Sequence, residues 1–414
     1  MIFYRLIIFA FSPIIIGQIL LLSIKNKQSR YFWQRLGFKY SDLPTNCLWF
    51  HCASVGEVNT LLPLLNNIHK KNHHLKMIIT TNTITGGKIV AQRNLDYLHH
   101  CYLPFDWTYS IKNFLTTTKP ISIHIMETEI WPNLFTSCHR NNIPIYIVNA
   151  RLSSKTTSAK QWVKKLYRTC LLMVEAIYAR SVKDAEAYKL LGANEDTITT
   201  IGNLKFSTAI TNDETETTTI IDRKYVLVAS THKDEEAQIY TIWKKLRRSE
   251  LLIIAPRHPE RIASIIKQIN AHSVAIRSKN QQITDQTEIF LLDTVGELKN
   301  YFKNAELVIM GGSFTPVGGH NILEPASFKK AIITGPYMEN FSEELALLLK
   351  KNAIVQITSK LQAYSQLQQQ IKKILEDDGY RKRLQENTRS LSHNAEKTLD
   401  DYANIILESS HTAS

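Results

Sequence analysis

Two α/β domains in tandem, each a doubly wound parallel sheet with helices on both faces, are predicted from three features of the 414-residue sequence. From residue 45 onward, short apolar runs alternate with stretches of helical period. Such alternation marks strands buried on both faces and joined by crossover helices. One polar stretch, Thr208–Thr219, carries no apolar periodicity and divides the pattern into two blocks of similar size. The length fits two domains of about 100–200 residues each.

The first residues differ from the rest. Leu6 to Ile24 is almost wholly apolar, interrupted by Ser12, Pro13, Gly17, Gln18 and Ser23. A membrane span needs about 20 such residues. The run lacks a small-x-small cleavage site, which argues against a signal peptide. Lys25, Lys27, Arg30 and Arg35 follow it and only Arg5 precedes it, so the positive-inside rule puts the bulk of the protein on the cytoplasmic side. Residues 1–27 are therefore expected to be a membrane anchor. Pro13 and Gln18 weaken a clean span and leave open a helix lying in the interface. Gln28–Lys39 mixes bases with Tyr31, Phe32 and Trp33, which suits a headgroup layer or an ordinary amphipathic surface helix.

The N-terminal domain is expected over residues 28–207. Leu48–His51 is its first predicted strand, and a helix-period stretch, Val58–His69, follows a Gly-containing turn. Met77–Thr81, Ile121–Met126, Ile143–Val148 and Ala176–Ala179 are further predicted strands, with helices beginning at Gly86 and covering Trp162–Met173 and Val182–Leu191. A linker is expected over residues 208–222 and the C-terminal domain over 223–385. Its predicted strands are Tyr225–Ala229, Leu251–Ala255, Ile289–Leu292, Leu307–Met310 and Ala331–Thr334. Leu361 to Leu407 reads as mostly helical, and residues 386–414 form a helical segment placed to pack back on the N-terminal domain. In doubly wound sheets, ligands bind at the carboxyl ends of the strands.

The net charge of +13 fits an anionic partner. No continuous Lys/Arg block, aromatic-basic signature or zinc-finger spacing occurs, so nucleic acid is not the expected partner. The five cysteines, Cys47, Cys52, Cys101, Cys138 and Cys170, are irregularly spaced without C-x-x-C, which fits reduced buried thiols. His73-His74 and His99-His100 lack carboxylate partners and are read as surface residues. No Asp-x-Asp motif sits at a strand end, and no catalytic metal is expected.

Five stretches carry chemistry. In Ala53-Ser54-Val55-Gly56-Glu57 a strand end leads through a small-residue turn into a helix. The dipole there favours an ionised Glu57, which can act as a base. Ser-x-x-Glu is equally a capping box. In Pro256-Arg257-His258-Pro259-Glu260-Arg261 the bases follow a buried strand, where Arg257 can fork onto a phosphate and His258 can donate to it; solvated charges at a Pro-bounded helix start are the alternative. Gly311-Gly312 and Gly318-Gly319 lie between a strand and a helix, as an anion-cradling loop would, and Glu324 can accept from a ribose diol. This is neither a P-loop nor G-x-G-x-x-G. Thr294-Val295-Gly296-Glu297-Leu298 is a second capping box after a strand. Glu127 and Glu129, at the end of Ile121–Met126, can bind sugar hydroxyls or cap the next helix.

Taken together, His51–Val58, Leu103-Pro104-Phe105-Asp106-Trp107, Glu127–Pro132, Asn149-Ala150-Arg151-Leu152-Ser153, Pro256–Arg261, Gly296-Glu297-Leu298 and Gly311–Pro325 occur in the order seen in bacterial Kdo transferases. The chain resembles that family over nearly its whole length. The resemblance implies a GT-B fold, two Rossmann-like domains facing a central cleft, with the acceptor on the N-terminal domain and CMP on the C-terminal one. It implies inverting, metal-free transfer of 3-deoxy-D-manno-octulosonic acid (Kdo) from CMP-Kdo to the lipid A precursor at the cytoplasmic face of the inner membrane. Glu57 matches the general base. Arg257, His258, Gly296, Glu297, Leu298, Asn321, Ile322, Leu323 and Glu324 match the CMP contacts. Ser54, Gly56, Glu127, Glu129, Arg151, Gly318 and Gly319 are expected to touch acceptor or sugar. Cys52, Ala53 and Ile322 depart from residues frequent in relatives. Another GT-B-like enzyme using a UDP-sugar is the alternative.

Overall fold

The computed structural model describes residues 2–152, 156, 158–211, 221–269, 271 and 273–412. The chain divides into two compact units, Met1–Thr208 with Lys397–Ser414, and Ala209–Glu396. Most of the polar stretch expected as a linker lies outside the described residues, and its first residues end the helix Leu204–Thr211.

The first unit holds seven strands: β1 (Leu48–Cys52), β2 (Met77–Thr81), β3 (Leu98–Tyr102), β4 (Ser122–Met126), β5 (Ile145–Ala150), β6 (Ala176–Ala179) and β7 (Ile198–Thr200). They pair in the order β3-β2-β1-β4-β5-β6-β7, every pair parallel. Every residue of β1, β2, β4 and β5 is buried. That explains why these strands are mostly apolar and do not alternate with solvent-facing residues. Alternate residues of β1 enter opposite cores: Trp49 packs with Ile78, Phe114 and Phe135, while Leu48 and Phe50 pack with Leu61, Leu64 and Leu65. The helix Val55–Lys71 buries Leu61, Leu64, Leu65 and Ile68, one stripe at helical spacing. Tyr402, Ala403 and Ile406, from the end of the helix Asp378–Thr412, complete the second core.

Four edge or near-edge strands escaped the sequence reading. One is β3, whose Leu-His-His-Cys-Tyr lacks an apolar run. It corrects the expectation for His100, which is half-buried, its Nε2 2.9 Å from Thr81 Oγ1. Burial, reinforced by Arg30, pushes its pKa down to about 3.

The helix Ile2–Lys25 continues through Pro13. One face docks on the first unit. Tyr4 donates to Asp106 (2.9 Å), Arg5 to Asn133 (2.8 Å) and Trp107 to Ser12 (2.9 Å), while Ile19 packs with Tyr31, Ile84 and Tyr102. Phe3, Leu6, Phe9, Phe11, Ile14, Leu21 and Ile24 are exposed on the same helix. By length and apolarity it could cross a membrane.

The second unit holds β8 (Tyr225–Thr231), β9 (Leu251–Pro256), β10 (Val274–Ile276), β11 (Ile289–Leu291), β12 (Leu307–Met310), β13 (Ile332–Thr334) and β14 (Val355–Gln356). The order is β10-β11-β9-β8-β12-β13-β14, again all parallel. Val226, Val228, Leu252 and Ile254 share one core with Ile239 and Trp243 of the helix Glu235–Leu246.

Candidate functional site

In the first unit the strand order reverses between β1 and β4, so the ends of these two strands flank the crevice where doubly wound sheets bind ligands. β1 leads into Ser54–Glu57 and β4 into Glu127–Glu129. Ser54 is the N-cap of the helix Val55–Lys71 and accepts from Glu57 N. Glu57 reaches back: Oε2 accepts from Ala53 N and Oε1 from Ser54 Oγ, each at 2.8 Å. The capping box is therefore formed, and it fixes the carboxylate at the strand end.

Glu57 is 9% exposed. Burial pushes its pKa up to about 7, against the hydrogen bonds from Ala53 and Ser54, and the negative charges of Glu127 and Glu129 push the same way. The dipole at the helix N-terminus favours an ionised carboxylate, but desolvation outweighs it here. A carboxyl that titrates near neutrality suits a group that must take a proton and later return it. Gly56 is exposed, and a Cβ there would meet nothing closer than Ser54 Oγ at 3.8 Å, so packing gives no reason for glycine.

Glu127 has φ +55°, a left-handed conformation costly for a residue with a Cβ. Its backbone is held by a bond from its N to Val148 O (2.9 Å) and one from Tyr188 Oη to its carbonyl (3.0 Å). Glu129 accepts from Trp131 Nε1 (3.0 Å) and Asn82 Nδ2 (3.3 Å). Asn82 in turn accepts from the buried Arg35. In the sequence Arg35 reads only as part of the basic flank after the N-terminal helix, and Asn82 carries no signal beyond residue type. Arg151, after β5, is exposed.

In the second unit the order reverses at β8, flanked by β9 and β12. Three chain segments meet there: Thr231–Glu236 after β8, Arg257–Arg261 after β9 and the glycine-rich loop after β12. Arg257 and His258 are exposed. Arg261 is tied to Glu236 at 3.0 Å, and Glu236 also accepts from Thr231 Oγ1. Glu235 is fully buried and accepts from three backbone amides, Gly312 and His232 at 2.8 Å and Phe314 at 3.0 Å. It fixes the glycine-rich loop to the end of β8. A Cβ on Gly311 would lie 2.6 Å from Thr231 Cα, so close backbone approach requires that glycine. Gly318 and Gly319 have φ +94° and +79° and press on Asn340 and Met338, so packing alone accounts for them.

Ile322 and Leu323 are buried, leaving only backbone for contact, and Leu323 N already donates to Asn321 Oδ1. Burial raises the Glu324 pKa, with Lys299 opposing. Glu297 accepts from Thr294 Oγ1 (2.9 Å) and from Arg277 (2.7 and 3.1 Å), and the Arg277 bond holds its carboxyl below the usual range. Gly296 is exposed at φ +91°. Arg277, Glu235, His232 and His320 are further polar residues of this unit that the sequence patterns do not single out. For Glu235 and His232 the signal was their place directly after a predicted strand, the criterion that singled out Arg257 and His258.

Two tandem doubly wound units, each with polar side chains at its switch point, make up the GT-B fold. UDP-GlcNAc 2-epimerase from Neisseria meningitidis shares that fold, with a TM-score of 0.55, 13% identity and coverage of 88% of this chain and 99% of that one. A family model described as 3-deoxy-D-manno-octulosonic-acid transferase (kdotransferase) matches residues 30–208. The 3-deoxy-D-manno-octulosonic acid transferase of Haemophilus influenzae is 32% identical over 401 residues, 92% of each chain. The chain belongs to the 3-deoxy-D-manno-octulosonic acid transferase family. The C-terminal CMP-Kdo binding domain of WaaA from Acinetobacter baumannii is 27% identical, with a TM-score of 0.38, and covers 46% of this chain and 98% of that one.

Proposed function

We propose that this transferase moves Kdo from CMP-Kdo to the lipid A precursor lipid IVA, with inversion, during lipopolysaccharide core synthesis. The observation that carries the proposal is Glu57, a carboxyl fixed by two 2.8 Å hydrogen bonds at the switch point of the first unit, with a pKa of about 7. The acceptor hydroxyl attacks the anomeric carbon of Kdo and Glu57 takes its proton. The bond from that carbon to the CMP phosphate breaks, and its electron pair leaves on the phosphate oxygen. Arg257 and His258, exposed beside the second unit's switch point, offset the charge that develops there. Glu127, Glu129 and Arg151 orient the acceptor, and the Gly296–Leu298 turn and Asn321–Glu324 hold the nucleotide.

The N-terminal helix supports work at a membrane. Its exposed aliphatic and aromatic side chains suit lipid, and Lys25, Lys27 and Arg30 follow it where anionic headgroups attract bases. In this reading the enzyme sits on the cytoplasmic face of the inner membrane, within reach of a phosphorylated glycolipid. Competition binding separates this reading from a UDP-sugar enzyme. Purified protein is expected to bind CMP in preference to UDP; a preference for UDP would overturn the donor assignment.

A further inference from the structure

We propose that His232 and His320 together form the proton-accepting part of the donor-phosphate site, taking up one proton when the anionic nucleotide binds; this rests on the donor reading above. The two residues lie 88 positions apart in sequence and meet only through the topology. His232 directly follows β8 and His320 ends the glycine-rich loop after β12, so both stand where neighbouring strands diverge and anionic ligands are held in doubly wound sheets. Their ring planes lie 16° apart with centroids 5.0 Å apart, and Nε2 faces Nε2 at 2.8 Å, so the rings meet edge to edge.

That contact constrains the chemistry. Of two nitrogens at hydrogen-bond distance, one must carry a proton and the other must be bare. The neutral pair therefore has one N–H in the bridge and one bare Nδ1 on the donating ring. A single added proton goes to that Nδ1 and turns the bridge into an imidazolium donating to an imidazole, a stronger charge-assisted bond. A second proton would have to break the bridge. The pair is built to hold one extra charge.

Its surroundings withhold that charge until an anion arrives. From the end of β9 come Arg257, Arg261 and His258, whose ring lies 5.7 Å from that of His232. The acids of the helix Glu235–Leu246 are occupied: Glu236 by Arg261 and Thr231, Glu235 by three backbone amides. Burial lowers both histidines; the neighbouring His258 and arginines lower His232 further, while Glu236 opposes, and His320 falls to about 4 under burial, His232, Arg257 and His258. Both rings are thus neutral near pH 7 in the free chain. A nucleotide phosphate brought among Arg257, Arg261 and His258 cancels their repulsion and reverses the balance.

The backbone holds the pair in place. Gly312 has φ +65°, and a Cβ there would lie 2.7 Å from His320 Cδ2 and 3.2 Å from His232 Cδ2. Ser230, two residues before His232, is held at φ +58°, a strained conformation of the kind that gathers at functional sites. The half-buried rings remain reachable from solvent. In the transfer step the phosphate gains one negative charge as the anomeric C–O bond breaks. The imidazolium offsets it, and the proton returns to solvent when CMP leaves.

The test is titration calorimetry of CMP into the full chain near pH 7, in buffers of different ionisation enthalpy, with ring nitrogen NMR of the histidines. Wild-type protein is expected to take up about one more proton per CMP than the His232→Gln, His320→Gln double variant, because glutamine keeps a hydrogen-bonding amide at each position and leaves neither ring to titrate. The NMR reads the ring directly in wild type, so the outcome does not depend on the variant folding. CMP binding with both rings still neutral would overturn this inference and leave the donor reading intact. Failure of CMP to bind the wild-type chain, with UDP bound instead, would overturn the donor reading and this inference with it.

Discussion

Replacing Glu57 by Gln separates a helix cap from a base. Gln can accept from Ala53 N and donate to Ser54 Oγ, so it can keep the two contacts Glu57 makes at 2.8 Å. It cannot take a proton from a hydroxyl. Loss of a general base lowers turnover by about 10²–10⁴-fold. Stability moves the other way. The rise from 4.5 to about 7 means that ionising Glu57 in the folded protein costs roughly 3 kcal/mol relative to the unfolded chain. The sign follows from the raised folded pKa. Below 4.5 the carboxyl is neutral in both states and costs nothing; as pH rises to about 7 the unfolded chain releases its proton first and stability is lost. Glu57→Gln is therefore expected to match wild type in acid and to exceed it above neutrality, by up to roughly 3 kcal/mol. Wild-type turnover should fall as pH drops through about 7, the value at which Glu57 titrates. Urea denaturation across pH and a CMP-release assay read these effects. A Gln variant with near wild-type turnover, or one destabilised above neutrality, would refute the argument.

Other residues give sharper contrasts between structure and function. Glu235→Ala leaves the amides of His232, Gly312 and Phe314 without their acceptor and should cost about 3–5 kcal/mol in urea denaturation. Gly56→Ala meets open space inside a helix, so stability should stay level or rise by about 0.5–1 kcal/mol; a drop in acceptor turnover in the same variant would mark a close backbone approach to substrate. Arg277→Ala removes a pair whose side chains are about one-third exposed, worth at most about 1 kcal/mol of stability. If the Glu297 turn holds the nucleotide, CMP affinity measured by calorimetry should fall by roughly tenfold, the equivalent of 1.4 kcal/mol.

What the sequence made legible follows burial. The central strands β1, β2, β4, β8, β9 and β12 are buried and mostly apolar, which is the pattern that marks them in the sequence. Edge strands carry less of that pattern. β3 holds two histidines, and β7, β10 and β14 have only two or three residues each, too short to show a period. At the site, Ser-x-x-Glu announced the cap that the structure contains, because a cap is local. The pKa of Glu57 was not legible, since Glu127 and Glu129 reach it from β4 and burial depends on the whole unit. The doubled glycines were read as an anion cradle. The structure adds steric reasons for them: Gly311 clears β8, Gly312 clears the two histidine rings, and Gly318 and Gly319 clear Asn340 and Met338. The pairing of His232 with His320 has no sequence spacing to find, because the order of β8 and β12 in the sheet creates it.

The most direct measurement is mass spectrometry of the lipid formed when the purified full chain is incubated with CMP-Kdo and the tetraacyl disaccharide precursor, with CMP release followed in parallel for wild type and Glu57→Gln. Wild type should yield a Kdo-bearing lipid and free CMP, and the Gln variant, equally folded, should yield neither at a comparable rate. A lipid left unmodified by CMP-Kdo but glycosylated from a UDP-sugar, or equal product from both proteins, would contradict the account.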